Sequence, residues 1–143
     1  MQGYNVILLF SEDTERILLC KRKKNPYIGL NNLVGGKIEL NEGGLEAAYR
    51  ELFEETAVSK SDVKLRHLMD FKYYFQNCYV EVYAGKLIRE VFVNGDENDL
   101  FWSDLSHIFF DMKQYAGEGN IGHMIEQVKM CADKIFADDY RTG

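Results

Sequence analysis

The chain has 143 residues with a net charge of −6, and 28% of the residues are charged while 46% are hydrophobic. This length suits a single domain over residues 1–143 with its own core, and the acidic balance argues against a nucleic-acid-binding surface. No apolar stretch is long enough to cross a bilayer, and the three cysteines lack metal-binding spacing. We therefore expect reduced thiols and a cytoplasmic protein that binds neither nucleic acid nor membrane.

The first part of the chain contains two apolar runs that are typical of strands. Residues 3–10 and 16–22 flank a polar turn, which predicts a hairpin or two adjacent strands. Residues 23–32 are rich in turn-forming residues and predict a loop. Leu33 and Val34 are too few to bury much alone, so we expect them to pair at the sheet edge.

The next segment predicts a helix with two different faces. Its apolar face has residues at helical spacing: Leu45, Ala48 and Leu52. Glu51, Glu54 and Glu55 stand at i, i+3 and i+4, so they share the opposite face. Three repelling carboxylates add nothing to a structural helix, whereas Mg²⁺ takes carboxylate oxygens as ligands. This face therefore predicts a metal site, with a solvated acidic surface as the alternative.

Two aromatic, strand-like runs follow the helix. Residues 64–75 and 78–88 are joined by Gln76 and Asn77, which predicts a tight hairpin. After them, the pattern predicts an acidic turn over residues 92–98 and a short strand, LFWS, whose last residue, Ser103, is also a plausible cap for a following helix.

The last element is predicted to be an amphipathic helix from about residue 121. Its apolar residues recur at helical spacing: Ile121, Met124, Ile125, Val128, Cys131 and Ile135. Strands with helices on two sides predict an α/β sandwich.

Residues 35–58 carry a recognisable motif. The pattern G-x5-E-x7-R-E-U-x-E-E-x-G-U, with U a bulky aliphatic residue, resembles the signature of the Nudix hydrolases. It is matched by Gly36, Glu42, Arg50, Glu51, Leu52, Glu54, Glu55 and Val58. Ala57 stands where the family has a helix-ending glycine, so we expect lower stability or a shifted helix end. The resemblance implies an α/β/α sandwich with a mixed sheet over nearly the whole chain.

The resemblance also implies Mg²⁺-dependent cleavage, with Mn²⁺ as an alternative, of a nucleoside diphosphate linked to another moiety. The implied metal ligands are the backbone carbonyl of Gly36 and the carboxylates of Glu51, Glu54 and Glu55. Arg50 would orient a glutamate of the motif through a charge-assisted hydrogen bond. Glu97 is a candidate for a further metal ligand, with a solvated turn as an equal alternative. The general base is either Glu54 or Glu97.

Candidate substrate-binding residues lie outside the motif helix. Arg22 stands before the motif at a place that resembles a phosphate-contacting basic position of MutT-like enzymes, and its guanidinium can fork onto a phosphate; Lys37 is a weaker candidate. Asn32 resembles the asparagine that binds the base edge in human-type oxidised-purine triphosphatases, with a turn asparagine as the alternative. Phe71 or Tyr73 either stacks on a base or belongs to the strand core.

These residues predict a Mg²⁺-dependent pyrophosphohydrolase that converts a nucleoside triphosphate to the monophosphate and pyrophosphate, with 8-oxo-dGTP as a candidate substrate. The alternatives are hydrolysis of a dinucleoside polyphosphate or nucleotide sugar, and a non-catalytic domain that senses a nucleotide. The non-catalytic domain is disfavoured because every carboxylate of the motif is present. A homodimer stays open, since an apolar interface cannot be told from core in the sequence.

Overall fold

The computed structural model describes residues 1–24, 27–94 and 99–137. Its strands are β1 (Gln2–Phe10), β2 (Arg16–Lys21), β3 (Asn31–Asn32), β4 (Val34–Lys37), β5 (Arg66–Tyr73), β6 (Cys78–Lys86) and β7 (Asp99–Asp104). Its helices are α1 (Gly44–Thr56), α2 (Asn120–Met130) and α3 (Ala132–Ile135).

Strand β1 organises a mixed sheet. It runs parallel to β6 along its whole length, and on its other edge it pairs antiparallel with β4 and, at its end, with β2. Strand β2 also pairs antiparallel with β3 and β7, and β6 pairs antiparallel with β5. A central strand with neighbours on both edges and helices on both faces is apolar on both faces. This explains the continuous run VILLF in β1.

Two hydrophobic clusters fill the space on the two faces of the sheet. Ile7 and Leu9 point towards α1, where Ala48 and Leu52 are fully buried. Leu8 and Phe10 alternate with them and point towards the other cluster, which contains Ile125 and other residues of α2 and α3. The period-two alternation of β1 therefore serves two helical layers. The predicted α/β/α sandwich with a mixed sheet is confirmed.

The N-terminal turn of α1 differs from the prediction. Leu45 was expected in the buried stripe, but 45% of its surface is exposed. Beneath Gly44, at the start of this turn, the sheet presents the Glu81 carboxylate and the Tyr83 hydroxyl, which form a polar rather than an apolar surface. The C-terminal end follows the motif despite Ala57. That residue adopts the left-handed conformation, with φ 67°, and its N–H donates to the Phe53 carbonyl.

Three further boundaries also differ. Ser103 caps no helix: it is a buried residue of β7 that pairs with Ile17, so its backbone belongs to the sheet. The β5–β6 connection spans four residues, 74–77, because β5 already ends at Tyr73. The predicted last helix is interrupted at Cys131, whose φ of −114° separates α2 from α3. In the described ranges, no helix has the length and apolar character needed to cross a membrane.

Candidate active site

The backbone of β4 is held tightly against β1 at the two glycines of the motif. The pairing places Gly35 opposite Val6 and Gly36 opposite Asn5. A Cβ at residue 35 would lie 2.1 Å from the Asn5 carbonyl oxygen, so only glycine fits this approach. The Gly36 N–H donates to the side-chain oxygen of Asn5 at 3.2 Å, and Asn5 is only 1% exposed. Strand β1 and the Asn5 side chain thereby fix the position of the Gly35-Gly36 backbone.

Glu51 projects from α1 onto this fixed backbone. A Cβ at Gly36 would lie 2.4 Å from the carboxylate carbon of Glu51 and within 2.6 Å of both its oxygens. The carboxylate thus occupies the space that a side chain at residue 36 would need. Burial raises the pKa of the Glu51 carboxyl, and the hydrogen bond from Arg50 acts in the opposite direction. Glu51 is a partly desolvated acid that benefits from positive charge.

Arg50 supplies such a charge and joins the helix to the loop before it. Its Nε and Nη2 atoms donate to the two carboxylate oxygens of Glu42 at 2.7 and 2.9 Å. Its Nη1 donates to Glu51 at 3.0 Å and to Glu54 at 3.2 Å, and its Nη2 also reaches the Lys37 carbonyl at 3.0 Å. The guanidinium geometry suits such forked contacts. One side chain therefore orients three carboxylates.

The Arg50–Glu42 pair is reflected in the acidity of both groups. The hydrogen bond from Arg50 is the main reason that the pKa of the Glu42 carboxyl lies below its usual value. The same contact is the main cause of a raised pKa of the guanidinium. Both groups therefore stay charged near neutral pH, and the pair fixes the loop between β4 and α1.

Glu55 faces the other glycine. Its carboxylate oxygen Oε2 accepts the N–H of Gly35 at 3.1 Å. The thiol of Cys20 lies in the same region, where burial, and secondly the charge of Glu55, raises its pKa to about 12. Cys20 thus remains a protonated, unreactive thiol at neutral pH. Glu55 is therefore hydrogen-bonded to Gly35, while Glu51 lies against Gly36, the next residue of β4.

The chemistry of this donor set fits a hard divalent cation, which prefers carboxylate and carbonyl oxygens. In the arrangement described here, no three His, Cys, Asp or Glu side chains of the described residues converge into a metal cluster. Arg50 lies between Glu51 and Glu54, and Glu55 is turned to the Gly35 amide. The Glu54 side chain is 56% exposed, so it can turn towards a cation without unpacking the core.

The predicted substrate-binding residues lie on neighbouring elements. Arg22 directly follows β2, and its backbone N–H donates to the Leu30 carbonyl at 2.9 Å. Asn32 lies in β3, where its side-chain oxygen accepts the N–H of Leu33 at 2.8 Å, a contact that a turn asparagine also makes. Lys37 ends β4 with an exposed side chain. Glu97, the candidate for a further metal ligand, lies outside the described residues.

The aromatic candidates lie on β5. Phe71 packs partly buried against the α2-side cluster and contacts the His123 ring edge-to-face, with centroids 6.4 Å apart. The Tyr73 hydroxyl accepts a hydrogen bond from the Asn120 side chain at 2.7 Å. Phe71 therefore packs against the edge of the core, while Tyr73 links the strand to the start of α2.

Asn5 was missed in the sequence. Its side chain fixes the amide of Gly36, and its Nδ2 atom is buried without a partner among the described residues. A single amide inside the apolar run YNVILLF is the signal that could have revealed it. A buried polar side chain in a strand that is covered on both faces requires a specific partner.

A protein-family model matches most of the chain. The model of the NUDIX domain matches residues 1–137, and no curated protein sequence matches the chain.

Solved structures similar to the chain include a C. elegans Ap4A hydrolase binary complex, with a TM-score of 0.74 and 16% identity, covering 92% of this chain and 98% of that one. MutT, from a study of Aliivibrio salmonicida and Vibrio cholerae, has a TM-score of 0.66 and 18% identity, covering 90% and 98%. A MutT/nudix family protein from Enterococcus faecalis has a TM-score of 0.61 and 22% identity, covering 72% of this chain and 43% of that one.

Proposed function

The chain belongs to the NUDIX family, whose hydrolases act on pyrophosphate bonds, and we propose that it hydrolyses a nucleoside triphosphate to the monophosphate and pyrophosphate. The observation that carries this proposal is the arrangement around Arg50. One guanidinium contacts Glu42, Glu51 and Glu54, and Glu51 lies directly on the Gly36 backbone. A helix face that only needed to be soluble would not require this buried, glycine-dependent contact.

The proposed metal ligands are the carbonyl of Gly36 and the carboxylates of Glu51, Glu54 and Glu55. When bound, Mg²⁺, or Mn²⁺ in its place, supplies positive charge that neutralises the pyrophosphate. The chain's own contribution is to hold two of these ligands next to the Gly35-Gly36 backbone. Arg50 and Gly36 position Glu51, and the Gly35 N–H positions Glu55, while the exposed Glu54 side chain would turn towards the cation.

The base that takes a proton from the attacking water is proposed to be Glu54 or Glu97. The exposure of Glu54 supports this role, because among the three glutamates that Arg50 contacts its side chain is the most exposed and can reach water. A general base must lie within hydrogen-bond reach of the proton that it removes.

The proposed triphosphate contacts are Arg22 and, more weakly, Lys37, and Asn32 is the proposed reader of the base. These residues favour an oxidised purine such as that of 8-oxo-dGTP. A second candidate is a dinucleoside polyphosphate, because the fold is shared with an Ap4A hydrolase and because Tyr73 and Tyr74 lie near the place where dinucleoside polyphosphate hydrolases carry a tyrosine. A nucleotide sugar and a purely nucleotide-sensing role are the remaining alternatives.

We also propose that residues 1–143 act as one cytoplasmic domain. The free thiols of Cys20, Cys78 and Cys131 support a reducing compartment. The exposed side chains of Tyr74 and Phe75 are compatible with a homodimer.

The test is a substrate panel with Mg²⁺: 8-oxo-dGTP, the ordinary dNTPs, ADP-ribose and diadenosine polyphosphates, with phosphate and pyrophosphate measured as products. The highest kcat/KM is expected for 8-oxo-dGTP. Asn32→Ala is expected to lower kcat/KM for 8-oxo-dGTP more than it lowers kcat/KM for the ordinary dNTPs. Preference for a dinucleoside polyphosphate would replace the proposed substrate. Binding of nucleotides with no product from any of them would favour the sensing role.

A further inference from the structure

A second cavity lies away from the candidate active site, at the ends of β1 and β6. Its volume is about 620 Å³, and we call it the basic cavity for the side chains that distinguish it: Lys60, Lys64, Arg66 and Lys86. Lys86 is the partner of Phe10 at the last paired position of β1 and β6, whereas Gly36 pairs with Asn5 near the start of β1. The basic cavity and the motif glycines are therefore separated by half the length of β1.

The charge of the basic cavity is opposite to that of the protein. The chain carries a net charge of −6, yet among the described residues the lining contains four cationic side chains and one acid, Glu12. Neither Lys60 nor Lys86 forms an ion pair with a carboxylate in the described ranges. The Lys60 ammonium instead lies 5.5 Å from the centre of the Tyr49 ring. These two lysines can add their charge to an anionic ligand.

The walls of the basic cavity are held in place by hydrogen bonds. Arg66 Nη1 donates to the carbonyl of Ile135 at 2.8 Å and to that of Ala137 at 3.4 Å, which fixes the end of α3. The Tyr49 hydroxyl accepts the N–H of Leu65 at 2.9 Å, which fixes the ring on α1. A cavity with fixed walls binds a ligand without first paying to order them.

The lining also has an apolar part. Val63, Leu87 and Ile135 are each at most 5% exposed and line the cavity beside the Tyr49 and Phe136 rings. Its volume falls within the usual range for small-molecule sites, roughly 300–1,000 Å³. Cations beside an apolar, aromatic wall suit a molecule that carries a phosphoryl group on an organic ring system.

We infer that the basic cavity is a second binding site, for a small phosphorylated anion that contacts Lys60 and Lys86. This site is independent of the proposed hydrolysis, because none of its lining residues is a proposed metal ligand or substrate contact. The shared chemistry is the phosphoryl group, which either a nucleoside monophosphate or free phosphate can provide.

The test is calorimetric titration of the full chain with AMP and, separately, with inorganic phosphate, in EDTA so that metal-dependent binding at the motif is removed. Lys60→Ala with Lys86→Ala is expected to weaken binding at least about tenfold. The matched control is Lys72→Ala with Lys113→Ala, which removes the same charge from two exposed positions elsewhere and is expected to leave affinity unchanged. Tighter binding of AMP than of phosphate assigns the site to a nucleotide, and equal binding assigns it to phosphate alone.

Three results would overturn the inference. One is no binding of either probe to the natural chain at about 1 mM, the weak end of specific affinities. Another is equal affinity in the cavity variant and the control variant. The third concerns Asp138 and Asp139, which follow the cavity residue Ala137 in sequence. If the probes bind only to the double variant Asp138→Asn, Asp139→Asn, the cations of the cavity interact with the chain's own acids rather than with a ligand. Thermal unfolding of each variant verifies that it is folded.

Discussion

The carboxylate of Glu51 lies against the α-carbon of Gly36, in the space that any larger residue at position 36 would fill. This contact joins the helix that carries the glutamates to the strand that carries the glycines. It also explains the glycine at this point of the motif, because a Cβ there would overlap the Glu51 carboxylate and force it to move. The contact makes the position of Glu51 depend on a residue fifteen positions earlier.

Gly36→Ala is expected to displace the Glu51 carboxylate, because the new methyl group would overlap it. The carboxylate is the end of a flexible side chain and can move, so we expect the free energy of unfolding to change by no more than about 1 kcal/mol. Metal-dependent turnover should fall at least about tenfold, since a ligand displaced by an ångström loses its geometry. Steady-state kinetics and urea unfolding measure the two effects.

The control for this substitution is Gly43→Ala. Gly43 has φ −70°, which alanine adopts freely, and no atom lies within 4 Å of its added Cβ. Its turnover should match that of the natural chain. Equal turnover of both variants and the natural chain would contradict the role given to the Gly36–Glu51 contact.

Arg50→Lys is expected to lower both stability and turnover. Lysine keeps the charge but cannot fork onto Glu42 while also reaching Glu51 and Glu54. Loss of charge-assisted hydrogen bonds should reduce the free energy of unfolding by about 1–3 kcal/mol. Arg89→Lys is the matched control, because Arg89 bonds to one carboxylate among the described residues, that of Asp62 at 2.9 Å, and is more exposed. If both variants behave alike, Arg50 is not the organising residue of the site.

Ala57→Gly is expected to stabilise the protein. Ala57 closes α1 in the left-handed conformation, which costs a residue with a Cβ about 1–2 kcal/mol. Glycine avoids this cost but loses more backbone entropy on folding. The expected net gain is about 0.5–1 kcal/mol in urea unfolding, with kcat/KM unchanged. A loss of stability would show that the Ala57 methyl group makes a contact that outweighs the strain.

The Asp62 carboxylate is expected to make a pH-dependent contribution to the free energy of unfolding that does not involve the active site. Hydrogen bonds from the Ser59 backbone N–H and hydroxyl, followed by Arg89, lower the pKa of its carboxyl. A carboxyl with a lowered folded-state pKa stabilises fully above its unfolded pKa of about 4, and this contribution disappears as the pH falls through the folded value.

Asp62→Asn should therefore be about 1–2 kcal/mol less stable than the natural chain at pH 7. The difference should shrink steadily below about pH 4, the region in which the carboxyl takes up its proton. Urea unfolding between pH 7 and pH 2.5 measures this difference. A gap that stays constant over the whole range would assign the effect to packing and not to charge.

Local patterns were enough to predict most of the fold. The alternation in β1, the spacing of Ala48 and Leu52, and the apolar face of α2 each depend on near neighbours in sequence. Leu45 and Ser103 were misplaced because their environments are set by distant residues. Glu81 and Tyr83 occupy the sheet beneath Gly44, and pairing with Ile17 keeps Ser103 in a strand. Neither contact can be inferred from the neighbouring residues in sequence.

In the candidate site too, the contacts within one helix were predictable and the contacts between elements were not. The three glutamates and Arg50 share one helix, so their common face follows from helical spacing. Asn5 lies 31 residues before Gly36 and meets it only through the β1–β4 pairing. The contact between Glu51 and Gly36 likewise depends on how closely α1 approaches β4, which no periodicity specifies.

The most direct test of the central claim, metal-dependent hydrolysis by the motif carboxylates, is pyrophosphate release from a nucleoside triphosphate at increasing Mg²⁺. It compares the natural chain with Glu54→Gln, which keeps the size of a half-exposed side chain and removes its charge. The natural chain should require Mg²⁺, and the variant should be folded but slower by about 10²-fold or more. Equal turnover of the two proteins, or turnover that persists in EDTA, would contradict the account.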